Sequence, residues 1–233
     1  MAIPKLEVPT FELKLPSNNN KVVYRPFLVK EHKALMMAKD ASDEEIARVI
    51  EDIVDICTFK KLSMKSLAFF DIEYIFTQMR AKSIGENLDL VVGCYSCNTR
   101  LPFSVNLTEL KVQKSPEHTN KFMVTDELGI ELKYPGFAQM SALKEDPSEE
   151  NQFNFLMACV KGIYSTSGDY NEITVDDRDD LKEFLDTMTV TQYDQLKKFI
   201  DTMPKLSHKT SVTCTNCGAV NNTVLEDVTN FFV

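Results

Sequence analysis

The chain has 233 residues, a hydrophobic content of 43% and a formal net charge of -9 at pH 7. These values predict a globular protein of one large or two small domains, and the negative charge opposes binding to nucleic acid. No apolar run reaches the roughly 18 residues that a membrane span requires. Since no signal peptide is recognisable, we expect a reducing cytosolic environment, in which paired cysteines bind metals or act in redox chemistry.

The start of the chain predicts a β-hairpin. FELKL at residues 11–15 alternates apolar and polar side chains, which is typical of a strand with one buried face. A run of turn-forming residues follows at 16–20, and KVVYRPF at 21–27 returns as the second strand.

Helices are predicted next, at residues 29–40, from Ser42 onward, and over 68–85. Ser42 is typical of a helix N-cap, with Glu45 as its capping-box partner. The apolar residues that follow recur at helical spacing and form one continuous stripe. These are Ile46, Val49, Ile50, Ile53, Val54 and Cys57.

The remainder predicts alternating strand-rich and helical segments within an α+β protein. Strands are expected on both sides of a cysteine pair near residue 95, and the strand-rich segment 106–134 is expected to turn at Glu127–Gly129. Helices are expected over much of 136–208. One of these helices is predicted to extend through FNFLMACVKGIY, followed by a polar loop at 165–172. We predict four segments, of which the second and fourth form one compact unit: 1–87 (hairpin and helices), 88–135 (β), 136–208 (helical insertion) and 209–233 (β tail).

Two Cys-x-x-Cys pairs carry the clearest chemical signal. They are Cys94 with Cys97 and Cys214 with Cys217. Each pair interrupts a strand-turn-strand pattern, and two such knuckles supply the four thiolates that zinc prefers in a tetrahedral structural site. We therefore expect one structural zinc ion per chain, in a small part that resembles a zinc ribbon and ties the C-terminus to the first half.

Other chemistry of these cysteines stays open. A thioredoxin-like redox pair opens a helix and has positive surroundings, whereas strands follow both pairs here. Redox-active or empty thiols and an iron–sulfur cluster are the remaining alternatives to zinc. The other two cysteines, Cys57 and Cys159, lie on apolar helical faces and are expected to pack in the core.

No recognisable arrangement for catalysis is present. The chain has only three histidines, and none of the common nucleotide-binding, zinc-protease or serine-hydrolase motifs occurs in it. We expect His32 on a solvated helix face, His118 in a loop, and His208 on the surface, although His208 is close enough to Cys214 to support a metal site. Neither an enzyme activity nor a small-molecule substrate is indicated. The apolar terminus Phe231-Phe232-Val233 would pack on its own domain or insert into a partner.

Two stretches resemble the family of T4-like bacteriophage baseplate hub and hub assembly proteins. The first is PTFELKLPSNNNKVVYRPFLVKEHKALMMAKD, in which Arg25-Pro26-Phe27-Leu28-Val29-Lys30-Glu31 is similar to an RPFLVKEEK-type motif. The second is FFDIEYIFTQMRAKSIGENLDL. The positions that match there are Asp71, Ile72, Glu73, Tyr74, Arg80, Ala81, Lys82, Ser83, Gly85 and Glu86.

The resemblance implies a non-enzymatic component or assembly factor of a contractile-tail baseplate hub. Its partners would be other hub and tail proteins, and it would act in the host cytoplasm during assembly and, as a permanent subunit, in the virion tail. The cations Arg25, Arg80 and Lys82 would form ion pairs within the chain, with Glu31, Glu73 or Glu86, or bind carboxylates of a partner. The competing functions are a zinc-ribbon protein that binds nucleic acid or assists transcription, and a thiol redox protein.

Overall fold

The structure, a computed structural model, describes residues 6–225. Its fold is α+β with an N-terminal β-hairpin and seven α-helices in the described part. The predicted α+β class and the predicted hairpin are thus confirmed. The chain forms two compact units, one made of residues 6–66, 70–113 and 205–225 and the other of 67–69 and 114–204. The four-segment division stays a prediction, and Phe231-Phe232-Val233 lies outside the described residues.

The first unit begins with the predicted hairpin and continues with three helices. Strands β1 (Phe11–Lys14) and β2 (Lys21–Tyr24) pair antiparallel. Helices α1 (Val29–Ala38), α2 (Asp43–Cys57) and α3 (Phe69–Ser83) follow in chain order.

The core of this unit forms on α2 and α3. Ser42 caps α2 as predicted, since its hydroxyl accepts a hydrogen bond from the backbone N–H of Glu45 at 3.3 Å. The predicted stripe of α2 is its inner face, and α3 is buried over most of its length. The largest fully buried side chains of these two helices are Ile50, Phe70, Ile72, Ile75, Phe76 and Met79. Each contributes about 1.5–3 kcal/mol of transfer free energy.

Two further hairpins complete the first unit. Strands β3 (Asn87–Gly93) and β4 (Arg100–Asn106) pair antiparallel, as do β10 (Lys205–Thr213) and β11 (Val220–Leu225). The short strand β5 (Lys111–Gln113) pairs with the start of β10. This pairing joins the C-terminal hairpin to the segment that follows the β3–β4 hairpin, although much of the chain separates them.

The second unit contains an antiparallel sheet. Its strands are β6 (Lys121–Met123), β7 (Leu128–Leu132), β8 (Val160–Ser165) and β9 (Tyr170–Glu172), and they lie side by side in chain order. The two helices between β7 and β8 are α4 (Phe137–Glu145) and α5 (Glu149–Cys159). The last two helices of the unit are α6 (Arg178–Asp186) and α7 (Val190–Thr202).

The structure corrects the helix predicted through FNFLMACVKGIY. Helix α5 ends at Cys159, and the next six residues form strand β8. Gly162 suits the strand, because a Cβ atom there would lie 2.6 Å from the Tyr170 ring and 2.8 Å from the carbonyl oxygen of Asn171 in β9. Only glycine permits this close approach of β9, and a short apolar run alone does not distinguish a strand from a helix.

Two predicted irregular segments also differ from the structure. The loop expected at 165–172 contains β9, which pairs with β8 across a turn where Gly168 has a φ of 102°. The turn expected at Glu127–Gly129 lies earlier, because β7 already begins at Leu128. In both cases the strands are short and depend on pairing within the sheet, which local composition does not encode.

Candidate metal centre

Each Cys-x-x-Cys pair occupies the turn of a β-hairpin. In the β3–β4 hairpin the backbone N–H of Cys94 donates to the carbonyl of Thr99 at 2.9 Å, and the N–H of Asn98 donates to the carbonyl of Cys94 at 2.8 Å. The β10–β11 hairpin repeats this pattern. The N–H of Cys214 donates to Ala219 at 2.8 Å, and that of Gly218 donates to Cys214 at 2.9 Å.

The residue after each second cysteine has a left-handed backbone conformation. Asn98 has a φ of 57° and Gly218 a φ of 75°. Glycine adopts this conformation freely and asparagine tolerates it better than most residues. The sequence Cys-x-x-Cys-Asn/Gly therefore folds locally into a knuckle that directs both sulfur atoms to the same side.

The two knuckles bring all four sulfur atoms together. The Sγ atoms of Cys94 and Cys217 are 3.7 Å apart, and those of Cys97 and Cys214 are 3.6 Å apart. All four Sγ atoms lie within 4.8 Å of one another. Four sulfurs at about 2.3 Å from one zinc ion in a regular tetrahedron would be about 3.8 Å apart. The donor set and its spacing therefore fit a single tetrahedral ion, and these cysteines could bind a metal.

The cluster has one buried and one exposed side. Cys94 and Cys214 are each 2% exposed, whereas Cys97 and Cys217 are exposed to solvent. Apolar side chains from both hairpins pack against the buried pair. They are Leu101, Val92, Val212 and Ala219. An ion at this position would lie over a small apolar core, with solvent on its other side.

Hydrogen bonds already favour thiolates on the first knuckle. The hydroxyl and the backbone N–H of Thr99, with help from the Asn216 amide, lower the pKa of Cys97 to about 6. Burial opposes ionisation of Cys94, but the backbone N–H groups of Cys97 and Ser96 outweigh it and lower the pKa of that thiol. Thiolates are the form that binds a metal, so this knuckle is electrostatically prepared for a cation.

The Sγ atom of Cys217 is the one whose ionisation a bound cation would favour most. The backbone N–H of Ala219 acts to lower the pKa of Cys217, but the neighbouring sulfurs of Cys97, Cys214 and Cys94 together with burial raise it to about 11. Four negative charges within a few ångströms repel one another. A divalent ion removes that repulsion and favours the fourth thiolate.

All three histidines are half-buried, but their side chains have different surroundings. His32 corrects the expectation of a solvated helix face, because its ring is half-buried and stacks on Phe27, with centroids 6.3 Å apart. His208 is half-buried in β10 opposite Leu225. His118, expected in a loop, is half-buried and hydrogen-bonded through both ring nitrogens.

The hydrogen bonds of His118 define its protonation. The hydroxyl of Thr202 donates to the carbonyl of Lys198 at 2.6 Å and therefore accepts from Nδ1–H of His118 at 2.9 Å. Nε2 then accepts from the Tyr134 hydroxyl at 3.0 Å. Burial, and secondarily the charge of Lys114, lowers the pKa of His118. The neutral ring is thus the form that the folded second unit holds.

We expect His118→Gln to flatten the pH dependence of stability. Since folding lowers the pKa of His118, its contribution is complete above the unfolded-state value of about 6.5 and is lost as the pH falls towards the folded-state value. At pH 7.5 the variant should lose about 1–3 kcal/mol of unfolding free energy through its lost hydrogen bonds. Denaturant titrations from pH 7.5 to 5 should show this difference shrinking in acid, whereas parallel profiles would contradict the assignment.

Two of the three cations that match the family motifs, Arg25 and Lys82, form ion pairs within the chain. Arg25 contacts Glu31 at 2.9 Å in a buried pair, and Lys82, near the end of α3, contacts Glu86 four residues later. Arg80 and Glu73 are both buried in α3, 5% and 1% exposed respectively. The internal roles predicted for Arg25 and Lys82 are confirmed, and these residues stabilise the first unit.

The fold and the site define an α+β protein with a four-cysteine cluster built from two similar hairpins. Within residues 6–225, none of the helices has the length and apolar character to cross a membrane. The model of one protein family, described as T4 bacteriophage base plate protein, matches residues 8–233. The chain belongs to this family. Neither the curated proteins nor the solved structures contain a match.

Membership of this family identifies the chain as a baseplate protein of a phage tail. The baseplate is a structural part of the phage tail, so the chain is associated with the tail and with other tail proteins. The resemblance of Arg25–Glu31 and of the α3 region to this family, read from the sequence, is confirmed. The sequence did not indicate roles for Thr99, Asn216 and Asn221. The Thr99 hydroxyl contacts Cys97 within one hairpin, and the side chains of Asn216 and Asn221 bond across to that hairpin from the other one.

Proposed function

We propose that the protein is a non-enzymatic component or assembly factor of the baseplate hub of a contractile phage tail, stabilised by one structural zinc ion. Cys94, Cys97, Cys214 and Cys217 would be the zinc ligands. The convergence of their four sulfurs, in a chain of the baseplate family, is the observation that supports this proposal most directly.

Zinc would stabilise the first unit by joining segments that are distant along the chain. The ligands come from hairpin β3–β4 and from hairpin β10–β11, and residues 114–204, which form most of the second unit, lie between these hairpins in the sequence. An unfolded chain must close this long loop before the site exists, so metal binding contributes directly to folding. The role is that of a cross-link in a compartment where disulfides do not persist.

The donor set favours structure over catalysis. Zinc with four thiolates has no open position for water or substrate, whereas catalytic zinc retains one. Both cysteine pairs lie between strands, which differs from the strand-to-helix position of a redox pair. A structural zinc in a non-enzymatic protein is therefore the simplest account of the site.

Helix α1 offers a surface for another hub protein. Val29 and Met37 are 70% and 87% exposed, and Lys33 lies between them on the same helical face. Exposed apolar side chains that share one helical face form a patch of the kind that marks interaction sites, and methionine adapts to varied partners. The partner surface would be apolar and would carry carboxylates that pair with Lys33. Such a surface is suited to assembly with tail proteins.

Met37→Lys tests this surface without threatening the fold. At an exposed position the change should alter the unfolding free energy by no more than about 0.5 kcal/mol. We expect the variant to be depleted from tail intermediates assembled in infected cells, as measured by quantitative mass spectrometry. Val175→Lys is the matched control, because Val175 is also 87% exposed but lies in the second unit. Normal incorporation of Met37→Lys would exclude this face of α1 as the interface.

The hub assignment is tested by locating the protein during assembly. A permanent subunit keeps a large apolar interface in the finished particle, whereas an assembly chaperone binds transiently through a smaller surface. Mass spectrometry of purified virions and of tail intermediates from the host cytoplasm should detect the protein in both for a subunit, and in intermediates alone for a chaperone. Its absence from hub-containing intermediates and from virions would overturn the proposal.

A further inference from the structure

The two hairpins that carry the cysteines have the same pattern of burial along the chain, but one of the matching buried positions holds an apolar residue in one hairpin and a polar residue in the other. Residues 91–100 and 211–220 have the same sequence of buried, half-buried and exposed positions. The next position, seven residues after the first cysteine of each hairpin, is buried in both and is Leu101 in one and Asn221 in the other, at 2% and 4% exposure. The repeat therefore buries an amide at a site where its counterpart buries a leucine.

Every polar atom of the Asn221 side chain has a partner. Its Oδ1 accepts from the backbone N–H of Tyr95 at 2.9 Å, across from one hairpin to the other. Its Nδ2 donates to the carbonyls of Val212 at 3.2 Å and Ala219 at 3.0 Å within its own hairpin. Tyr95 lies between Cys94 and Cys97, so this amide connects the turn of the first knuckle to the strands of the second.

A buried amide without partners would be destabilising, and leucine at the same position would be favourable. Leucine, however, cannot accept a hydrogen bond from Tyr95. The hydrogen bonds of Asn221 fix one relative position of the knuckles, which a purely apolar contact does not do. Asn216 adds a second link, because its Nδ2 donates to the Thr99 hydroxyl at 3.2 Å.

We infer that Asn221 is a positioning residue that aligns the two knuckles and so raises the affinity of the four cysteines for zinc. This inference rests on the proposed zinc site. Asn221 does not touch the metal position, and it acts through the backbone of Tyr95 on the sulfurs of Cys94 and Cys97. Residues that orient metal ligands typically change affinity by about 10–100-fold when they are replaced.

The test compares Asn221→Leu with Asn222→Leu in the full chain. Leucine is the residue that the first hairpin buries at this position, and Asn222 is the exposed neighbour on the opposite face of β11. Zinc affinity is measured by competition with a chromophoric chelator, and the hydrogen exchange of the Tyr95 amide is measured by NMR in the zinc-loaded proteins. Asn221→Ala is measured in parallel, so that poor packing of the leucine does not decide the result.

We expect both Asn221 variants to bind zinc about 10–100-fold more weakly and to exchange the Tyr95 amide faster, with Asn222→Leu unchanged. Wild-type affinity in the Asn221 variants, or an unchanged Tyr95 exchange rate, would overturn the inference while leaving the zinc site intact. If the wild-type protein binds no zinc, the zinc proposal itself fails. The two failures are therefore distinguishable.

Discussion

Replacing Cys214 with serine should reduce the zinc content to well under one ion per chain and strongly destabilise the first unit. The change removes one of four ligands and leaves the other three thiols close together without a cation. When free zinc exceeds the dissociation constant a thousandfold, bound zinc contributes about 4 kcal/mol to the unfolding free energy, and the variant should lose most of this. Elemental analysis and denaturant titration of the purified protein measure both effects.

Two comparisons make this result specific. Cys94→Ser should behave in the same way, because Cys94 belongs to the other knuckle and is equally buried. Ser96→Ala changes an exposed side chain in the same turn and retains all four sulfurs, so it should bind zinc normally. Unchanged metal content and unchanged melting in both cysteine variants would remove zinc from the account.

Removing the carboxylate of Glu31 should cost about 3–5 kcal/mol of unfolding free energy. Glu31 Oε1 accepts from Arg25 at 2.9 Å, and Oε2 accepts from the backbone N–H of Leu28 at 2.8 Å. Both ionic residues are buried, at 9% exposure for Arg25 and 4% for Glu31. Glu31→Ala would leave the guanidinium buried without its counter-charge and the start of α1 without its cap. Chemical denaturation at pH 7 measures the loss.

An exposed ion pair supplies the control for Glu31. Arg48 and Glu44 form a pair one turn apart on the solvent face of α2, and both side chains are more than half exposed. Glu44→Ala should therefore change stability by less than about 1 kcal/mol. Equal effects of Glu31→Ala and Glu44→Ala would show that burial does not strengthen the contribution of the Arg25 pair.

The pair of Arg25 and Glu31 also predicts how the unfolding free energy changes in acid. Burial acts to raise the pKa of Glu31, but the hydrogen bond from Arg25 and the N–H of Leu28 outweigh it and lower the pKa. A carboxyl group whose pKa is lowered on folding stabilises the protein above its unfolded-state value, and this contribution is lost as the pH falls through the folded-state value. The difference between wild type and Glu31→Ala should accordingly shrink in acid.

Local patterns were sufficient to predict several parts of the fold and the core of the candidate site. The stripe of α2 and its Ser42 cap are properties of a short segment, and the segment forms the helix that they predict. Each Cys-x-x-Cys knuckle is likewise a local turn between strands. Four matching thiols indicated that the two knuckles should meet, and the structure brings them within 4.8 Å.

Features that depend on tertiary contacts were not predictable in this way. Strand β8 follows α5 directly and packs closely on β9 at Gly162, and the His32 ring is half-buried and stacks on Phe27. Phe59 and Lys60 adopt left-handed conformations in succession, with φ of 62° and 55°, and no local pattern favours phenylalanine there. The hydrogen bond between Tyr95 and Asn221 joins two hairpins that are far apart in sequence.

The most direct test of the central claim is X-ray absorption at the zinc edge, combined with elemental analysis, on protein purified without added metal. We predict one zinc ion per chain with four sulfur neighbours at about 2.3 Å. Protein that is folded and reduced but contains no metal, or zinc bound mainly by nitrogen and oxygen, would contradict the proposed centre.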